Sequence, residues 1–202
     1  MSPPRFTREQ LGAFEGASVP DLIGPGAKLL VAGINPGLWT AASGTHFAHP
    51  GNRFYPALHR AGLIDREIDR SLGFSDTDRA HLMERGIGIT NLVNRATVRA
   101  DQLGADELRA GASRLEALAA SVQPVVVAVA GITAYRTAFG RRTAALGRQP
   151  ERIAESELWV VPNPSGLNAH DTVDTLAEWF HRVGKAAGIV PARRLGRSPT
   201  AG

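Results

Sequence analysis

Short apolar segments separated by helical stretches predict an α/β fold with a parallel sheet covered on both faces. Three observations carry this. The segments at Lys28–Ala32 (KLLVA), Pro124–Ala130 (PVVVAVA) and Leu158–Val161 (LWVV) are apolar almost throughout, without the alternation of a half-solvated strand. Amphipathic helices lie between them, as crossover connections require. Two loops of unusual composition, after the first and last strands, both leave C-terminal strand ends. A parallel sheet therefore puts them on one edge, where open α/β sheets place ligands.

Taken in order, residues 1–20 are rich in Pro, Gly and charge, with one short helix around Arg8–Phe14. The first strand, Lys28–Ala32, breaks at Gly33. The loop that follows contains Asn35, Pro36, Gly37, His46, Phe47 and His49. Asn52 is placed to cap a helix carrying Phe54, Leu58 and Ala61 on one side. Residues 76–85 read as a short helix stopped by Gly86, and Gly88–Val93 as a second strand leading into a polar loop.

Ala105–Val122 is the clearest helix, with Leu108, Ala112, Leu115, Ala119 and Val122 at three- and four-residue steps and Pro124 beyond its end. After the third strand, Gly131 opens a helix with Ile132, Tyr135 and Phe139. Arg141–Glu155 reads as basic and irregular. The strand Leu158–Val161 then runs into Pro162-Asn163-Pro164-Ser165-Gly166-Leu167-Asn168, and a last helix carries Val173, Leu176, Phe180 and Val183. The chain thus divides into an N-terminal extension (1–20), one domain (21–188) and a basic, flexible tail (189–202).

Composition narrows the function classes. Cysteine is absent, which excludes disulfides, thiol nucleophiles and cysteine-held iron–sulfur or zinc sites. No apolar run approaches the roughly 20 residues of a membrane helix, and the polar start MSPPRFTREQ has no signal-peptide core, so the expectation is a cytoplasmic protein without membrane contact. The formal charge is +4, and arginine supplies all but Lys28 and Lys185 of the 23 basic residues. An arginine-rich surface suits phosphate polyanions, though the same enrichment follows from a GC-rich genome.

Familiar phosphate and nucleophile signatures fail. GPGAK at Gly24–Lys28 lacks P-loop spacing, no GxGxxG follows a strand, and no GxSxG surrounds Ser165. His46 and His49 have H-x-x-H spacing without an apparent third ligand, so no metal site is expected. Neither lysine stands in the two loops, which argues against Schiff-base chemistry.

Three stretches carry a family resemblance. Gly33-Ile34-Asn35-Pro36-Gly37-Leu38, Phe47-Ala48-His49-Pro50-Gly51-Asn52-Arg53-Phe54 and Asn163-Pro164-Ser165-Gly166-Leu167 resemble, in order and separation, the motifs of the mismatch-specific uracil/thymine DNA glycosylases, a branch of the uracil-DNA glycosylase superfamily. The likeness runs from about Lys28 to Lys185. It implies a three-layer α/β/α fold with a short, mainly parallel central sheet, no metal or organic cofactor, and removal of uracil or related bases from double-stranded DNA. The last motif has the bacterial form, which implies a bacterial, nucleoid-associated monomer.

The resemblance also implies roles. Asn35 takes the position that orients the attacking water, with Gly33 and Ile34 beside it as base-pocket backbone. An amide can hold water at the sugar C1′, though as a poor base, so stabilisation of the departing base anion by backbone N–H groups must supply much of the rate. Stricter uracil glycosylases resemble one another in a bulky Tyr where this chain has Gly37, which implies an open pocket. Phe47 matches the base-stacking aromatic. His46 resembles the histidine of the animal thymine-processing branch, with water ordering or base polarisation as its role, while His49 braces the loop. Asn91 resembles the thymine branch, where an Asn contacts the flipped pyrimidine.

Leu167 is the candidate wedge, an apolar side chain expected to fill the gap left by an extruded nucleotide. Asn163, Ser165, Gly166 and Asn168 are expected to bring donors to flanking phosphates. One departure stands out: family members commonly carry Arg two residues past the Leu, where this chain has Ala169. The expected function is a monofunctional glycosylase that flips uracil from duplex DNA, preferring G·U, with ethenocytosine and thymine mispairs as weaker substrates, and leaves an abasic site in base excision repair. A non-catalytic damaged-DNA-binding module and a nucleotide- or nucleobase-binding α/β protein stay open at this point.

Overall fold

Strand β1 (Leu29–Gly33) is an interior strand of the sheet, buried along its length. It pairs in parallel with β2 (Ile87–Asn91) on one side and β3 (Val126–Ala130) on the other. β5 (Ser156–Val161) adds to β3 in parallel, and β4 (Gly147–Ile153) closes the edge antiparallel to β5, giving the order β2-β1-β3-β5-β4. A computed structural model supplies these coordinates and describes residues 6–70 and 73–189.

The pleat sorts each strand's side chains between two cores. Leu29 and Val31 of β1, with Val126 and Ala128 of β3, face a layer that includes α3 (Phe54–Arg60), α4 (Asp76–Glu84) and α7 (Val173–Ala186). Leu30 and Ala32, with Val127 and Val129, face α5 (Ala105–Val122) and α6 (Ile132–Ala138). Both faces are apolar because both are covered, and the result is the expected three-layer α/β/α architecture. Among the described residues no helix is long and apolar enough to cross a membrane.

The α5 bounds match the sequence reading, and its periodic residues Leu108, Ala112, Leu115 and Ala119 are buried. Gly86, at φ 71°, takes the left-handed turn between α4 and β2. Two elements differ from expectation. The stretch read as irregular, 141–155, holds β4. Its polar sequence GRQPERI is tolerated because it is an edge strand, where Pro150 removes no central ladder bond. The long loop after β1 contains a short helix, α2 (Leu38–Ser43), whose N-cap is Gly37.

The ends also differ. Ile189 is 5% exposed and packs in the core, so it belongs to the domain; residues 190–202 of the expected tail lie outside the described residues. Of the 1–20 extension, residues 1–5 also lie outside them. A capped turn of helix, α1 (Arg8–Gly12), follows Thr7. The Gly16 N–H then donates to Ala96 O at 2.9 Å, and the Val19 N–H to Asn94 Oδ1 at 3.0 Å. These bonds pin the extension to the loop after β2.

Candidate active site

Three of the sequence-designated residues converge at the end of β1. Gly33 pairs in register with Asn91, the last residue of β2. A Cβ on Gly33 would lie 2.6 Å from Asn91 Oδ1 and 3.3 Å from Phe47 Cζ. Only a residue without a side chain admits both groups. Asn91 is 5% exposed, and its Nδ2 is buried with no hydrogen-bond partner among the described residues. A buried amide donor left unpaired costs about 1–3 kcal/mol, so such a group is informative about what the site receives.

Phe47 is the second strained feature. Its φ is 56°, a left-handed value that a bulky residue adopts at a cost of about 1–3 kcal/mol. One ring face stacks on Phe54 with centroids 4.1 Å apart, and Phe54 is itself fixed edge-on by Tyr55 and Phe180. The half-buried Phe47 ring is thus backed by the core while its edge meets Gly33.

Asn35 is half-buried on the loop just beyond β1. Its Nδ2 donates to Thr97 Oγ1 at 2.7 Å, Arg95 O at 2.9 Å and Pro36 O at 3.1 Å. All three acceptors lie on the amide nitrogen's side. The amide orientation is therefore determined, and Oδ1 has no protein partner among the described residues. Thr97 is 1% exposed and donates its own proton to Arg99 O at 2.8 Å, so it must accept from Asn35. Gly37 is exposed, and a Cβ there would meet nothing within 4 Å.

His46 precedes Phe47 in the same loop. It is 2% exposed, its Nε2 lies 3.0 Å from Pro20 O, and its own carbonyl accepts from the Tyr55 hydroxyl at 2.7 Å. Burial lowers its pKa, so the neutral ring donates Nε2–H to Pro20. His49 Nδ1 accepts from the Gly51 N–H at 3.1 Å, and its carbonyl accepts from the Asn52 N–H at 2.8 Å, both contacts within the loop. Asn52 does not cap α3: the N-cap is Arg53, and Asn52 Oδ1 accepts from Phe54 N at 2.9 Å one residue earlier.

The loop after β5 reaches the same rim. Gly131, at the end of β3, would with a Cβ press on Ile34 Cδ1 at 3.2 Å and lie 3.8 Å from Asn163 Cβ. Gly166 packs so tightly on Gly51 that a Cβ would come 2.7 Å from Gly51 O. Within the loop, Asn163 Oδ1 accepts from the Ser165 N–H at 3.0 Å, and Asn168 Nδ2 donates to Asn163 O at 2.9 Å. Leu167 projects from this braced turn and is 87% exposed, the most exposed of the large apolar side chains described.

Two residues that the sequence reading did not single out organise the rim. Thr97 sits in a polar loop that offers no motif. Arg53 lies inside a matched block, yet nothing in that block signals that its N–H donates to Pro164 O at 2.9 Å.

Comparison with known proteins agrees with this fold. Residues 20–183 match the family model described as the uracil DNA glycosylase superfamily. The solution NMR structure of a protein named a putative uracil DNA glycosylase, from Methanosarcina acetivorans, superposes with a TM-score of 0.58 at 17% identity, covering 82% of this chain and 96% of that one. That likeness speaks to the fold. The family match spans most of the chain, from before β1 to within α7. The chain belongs to the uracil DNA glycosylase superfamily, the enzymes that release uracil from DNA.

Proposed function

We propose that this protein is a monofunctional, mismatch-directed glycosylase that flips uracil out of duplex DNA and hydrolyses its N-glycosidic bond. G·U is the preferred substrate, with ethenocytosine and thymine mispairs weaker, and no cofactor is required. The observation that carries this reading is the Asn35 amide. Its nitrogen is tied to Thr97, Arg95 and Pro36, and its oxygen is left for a water.

In the proposed reaction the C1′–N1 bond loosens first and the base departs as an anion. Water held by Asn35 Oδ1 then bonds to C1′, and its released proton passes to solvent or to the base. Among the described residues no carboxylate is hydrogen-bonded to Asn35, so leaving-group stabilisation carries much of the rate and slow turnover is expected. The unpartnered Asn91 Nδ2 supplies a donor for a pyrimidine carbonyl. Phe47 supplies a stacking face worth roughly 1–3 kcal/mol. Leu167, exposed on a braced loop, takes the place of the extruded nucleotide.

The test is product analysis on duplexes carrying uracil, thymine or ethenocytosine opposite guanine or adenine. Free base plus an alkali-labile abasic site is expected, fastest for G·U. Tight binding to the same duplexes with no released base would reduce the protein to a damage-recognition module.

A further inference from the structure

The Arg53 guanidinium reaches under the Pro162–Thr172 loop. One terminal nitrogen donates to Ser165 O at 2.6 Å and Asn168 O at 2.5 Å, and the other donates to Asp171 O. With the Arg53 N–H on Pro164 O, one residue holds four carbonyls of a loop that has no regular structure. Among the described residues no carboxylate pairs with Arg53, and the carboxylate of Asp171 is engaged by Asn168 Nδ2 at 2.8 Å. The charge is therefore met by carbonyl dipoles alone.

Carbonyls cannot bond one another, so three of them turned inward repel unless a common donor joins them. The planar fork of arginine satisfies them together; a lysine ammonium offers three donors at one point and cannot span the same set. Drawing the acceptors inward around Arg53 turns the Ser165–Leu167 segment outward, and Gly166 against Gly51 fixes how far out it stands.

We propose that Arg53 is a positioning residue that pre-forms the wedge: it holds the loop in the single shape that presents Leu167 to the duplex. This rests on the reading of Leu167 as the wedge. Arg53 acts on extrusion of the base, not on bond cleavage. The helix behind it does not depend on the side chain, because α3 has no side-chain cap bond from its N-cap residue.

The test compares full-length wild type, Arg53→Lys, Arg53→Gln and Leu167→Ala. Uracil is presented either paired in a duplex with 2-aminopurine beside it or unpaired in a bulge that needs no extrusion. Amide hydrogen exchange over residues 163–172 is followed in parallel. Both Arg53 variants should lose fluorescence rise and paired-duplex cleavage by about tenfold or more, the scale of one charged hydrogen bond. They should cleave the bulged substrate near the wild-type rate and show faster exchange in the loop. Wild-type behaviour of Arg53→Lys beside an impaired Leu167→Ala would overturn the clamp alone, as would equal losses on paired and bulged substrates. Unchanged flipping by Leu167→Ala would overturn the wedge reading, and the clamp with it.

Discussion

The Thr97 hydroxyl accepts from Asn35 Nδ2 at 2.7 Å while donating to Arg99 O at 2.8 Å, so a buried threonine joins the Arg95 and Pro36 carbonyls in fixing which end of the Asn35 amide faces outward. This relationship separates two roles that mutation can test. Asn35→Ala should keep DNA affinity and lose cleavage by about 10²–10⁴-fold, the usual scale for a positioned proton acceptor. Thr97→Val keeps the shape but removes both hydrogen bonds, so the amide loses its shortest tie and is held by Arg95 O and Pro36 O alone. Its kcat should fall about tenfold with KM unchanged, and Thr97→Ser should restore it. Single-turnover kinetics with a binding titration check both. A rise in KM alone for Thr97→Val would place the residue in binding instead.

Gly33→Ala should damage the site more than the fold. The new methyl would fall 2.6 Å from Asn91 Oδ1 and 3.3 Å from Phe47 Cζ, two groups that the proposed chemistry needs in fixed positions. Asn91 has a short side chain at a strand end and can yield only by leaving its place. A displacement of this size commonly costs about a hundredfold in rate. Paired melting and activity measurements would show a small change in Tm beside that loss. A variant that melts early and loses activity in proportion would instead mark Gly33 as a packing residue.

His46 makes stability depend on pH, and the sign follows from its burial. Desolvation holds its folded-state pKa below the ordinary value of 6.5, against the weaker opposing pull of the Pro20 carbonyl and Asp21. Below pH 6.5 the unfolded chain therefore binds a proton that the folded chain refuses. Stability is fully present above that value and declines as pH falls toward the folded pKa. Below both values the contribution no longer changes. Tm measured between pH 8 and 5 should fall with acid, and His46→Gln should flatten that fall while keeping a donor for Pro20. An identical slope in the variant would assign the acid sensitivity to other groups.

Much of this was legible in the residues themselves. The apolar runs at β1, β3 and β5 are continuous because both faces are covered, and α5 shows its period plainly. β4 was hidden because an edge strand needs no apolar run, and GRQPERI has none. At the site, motif likeness named Gly33, Asn35, Phe47 and Leu167. Nothing local reveals that Thr97 orients Asn35, or that Arg53 gathers the carbonyls of a loop more than a hundred residues away. Such bonds depend on which strand ends meet, and that is decided by the sheet order. The bonds of His46 to Pro20 and Tyr55 were equally hidden, since neither partner belongs to a motif.

Gly37→Tyr should narrow the substrate range while leaving the fold intact. The residue is the N-cap of α2 at φ −79°, a conformation any residue adopts, and nothing lies within 4 Å of a Cβ there. A tyrosine can therefore be installed without backbone strain. It would stand beside Asn35 and could wall off the space that a 5-methyl group or an etheno ring would enter. Uracil, lacking such a substituent, should lose little. Thymine and ethenocytosine should lose on the order of a hundredfold, the discrimination that steric exclusion of a small group supplies. The measurement is the ratio of single-turnover rates on G·U, G·T and ethenocytosine duplexes, for wild type and variant together. A uniform drop across all three would mean that the ring obstructs Asn35 itself, and an unchanged ratio would mean that the pocket opens elsewhere.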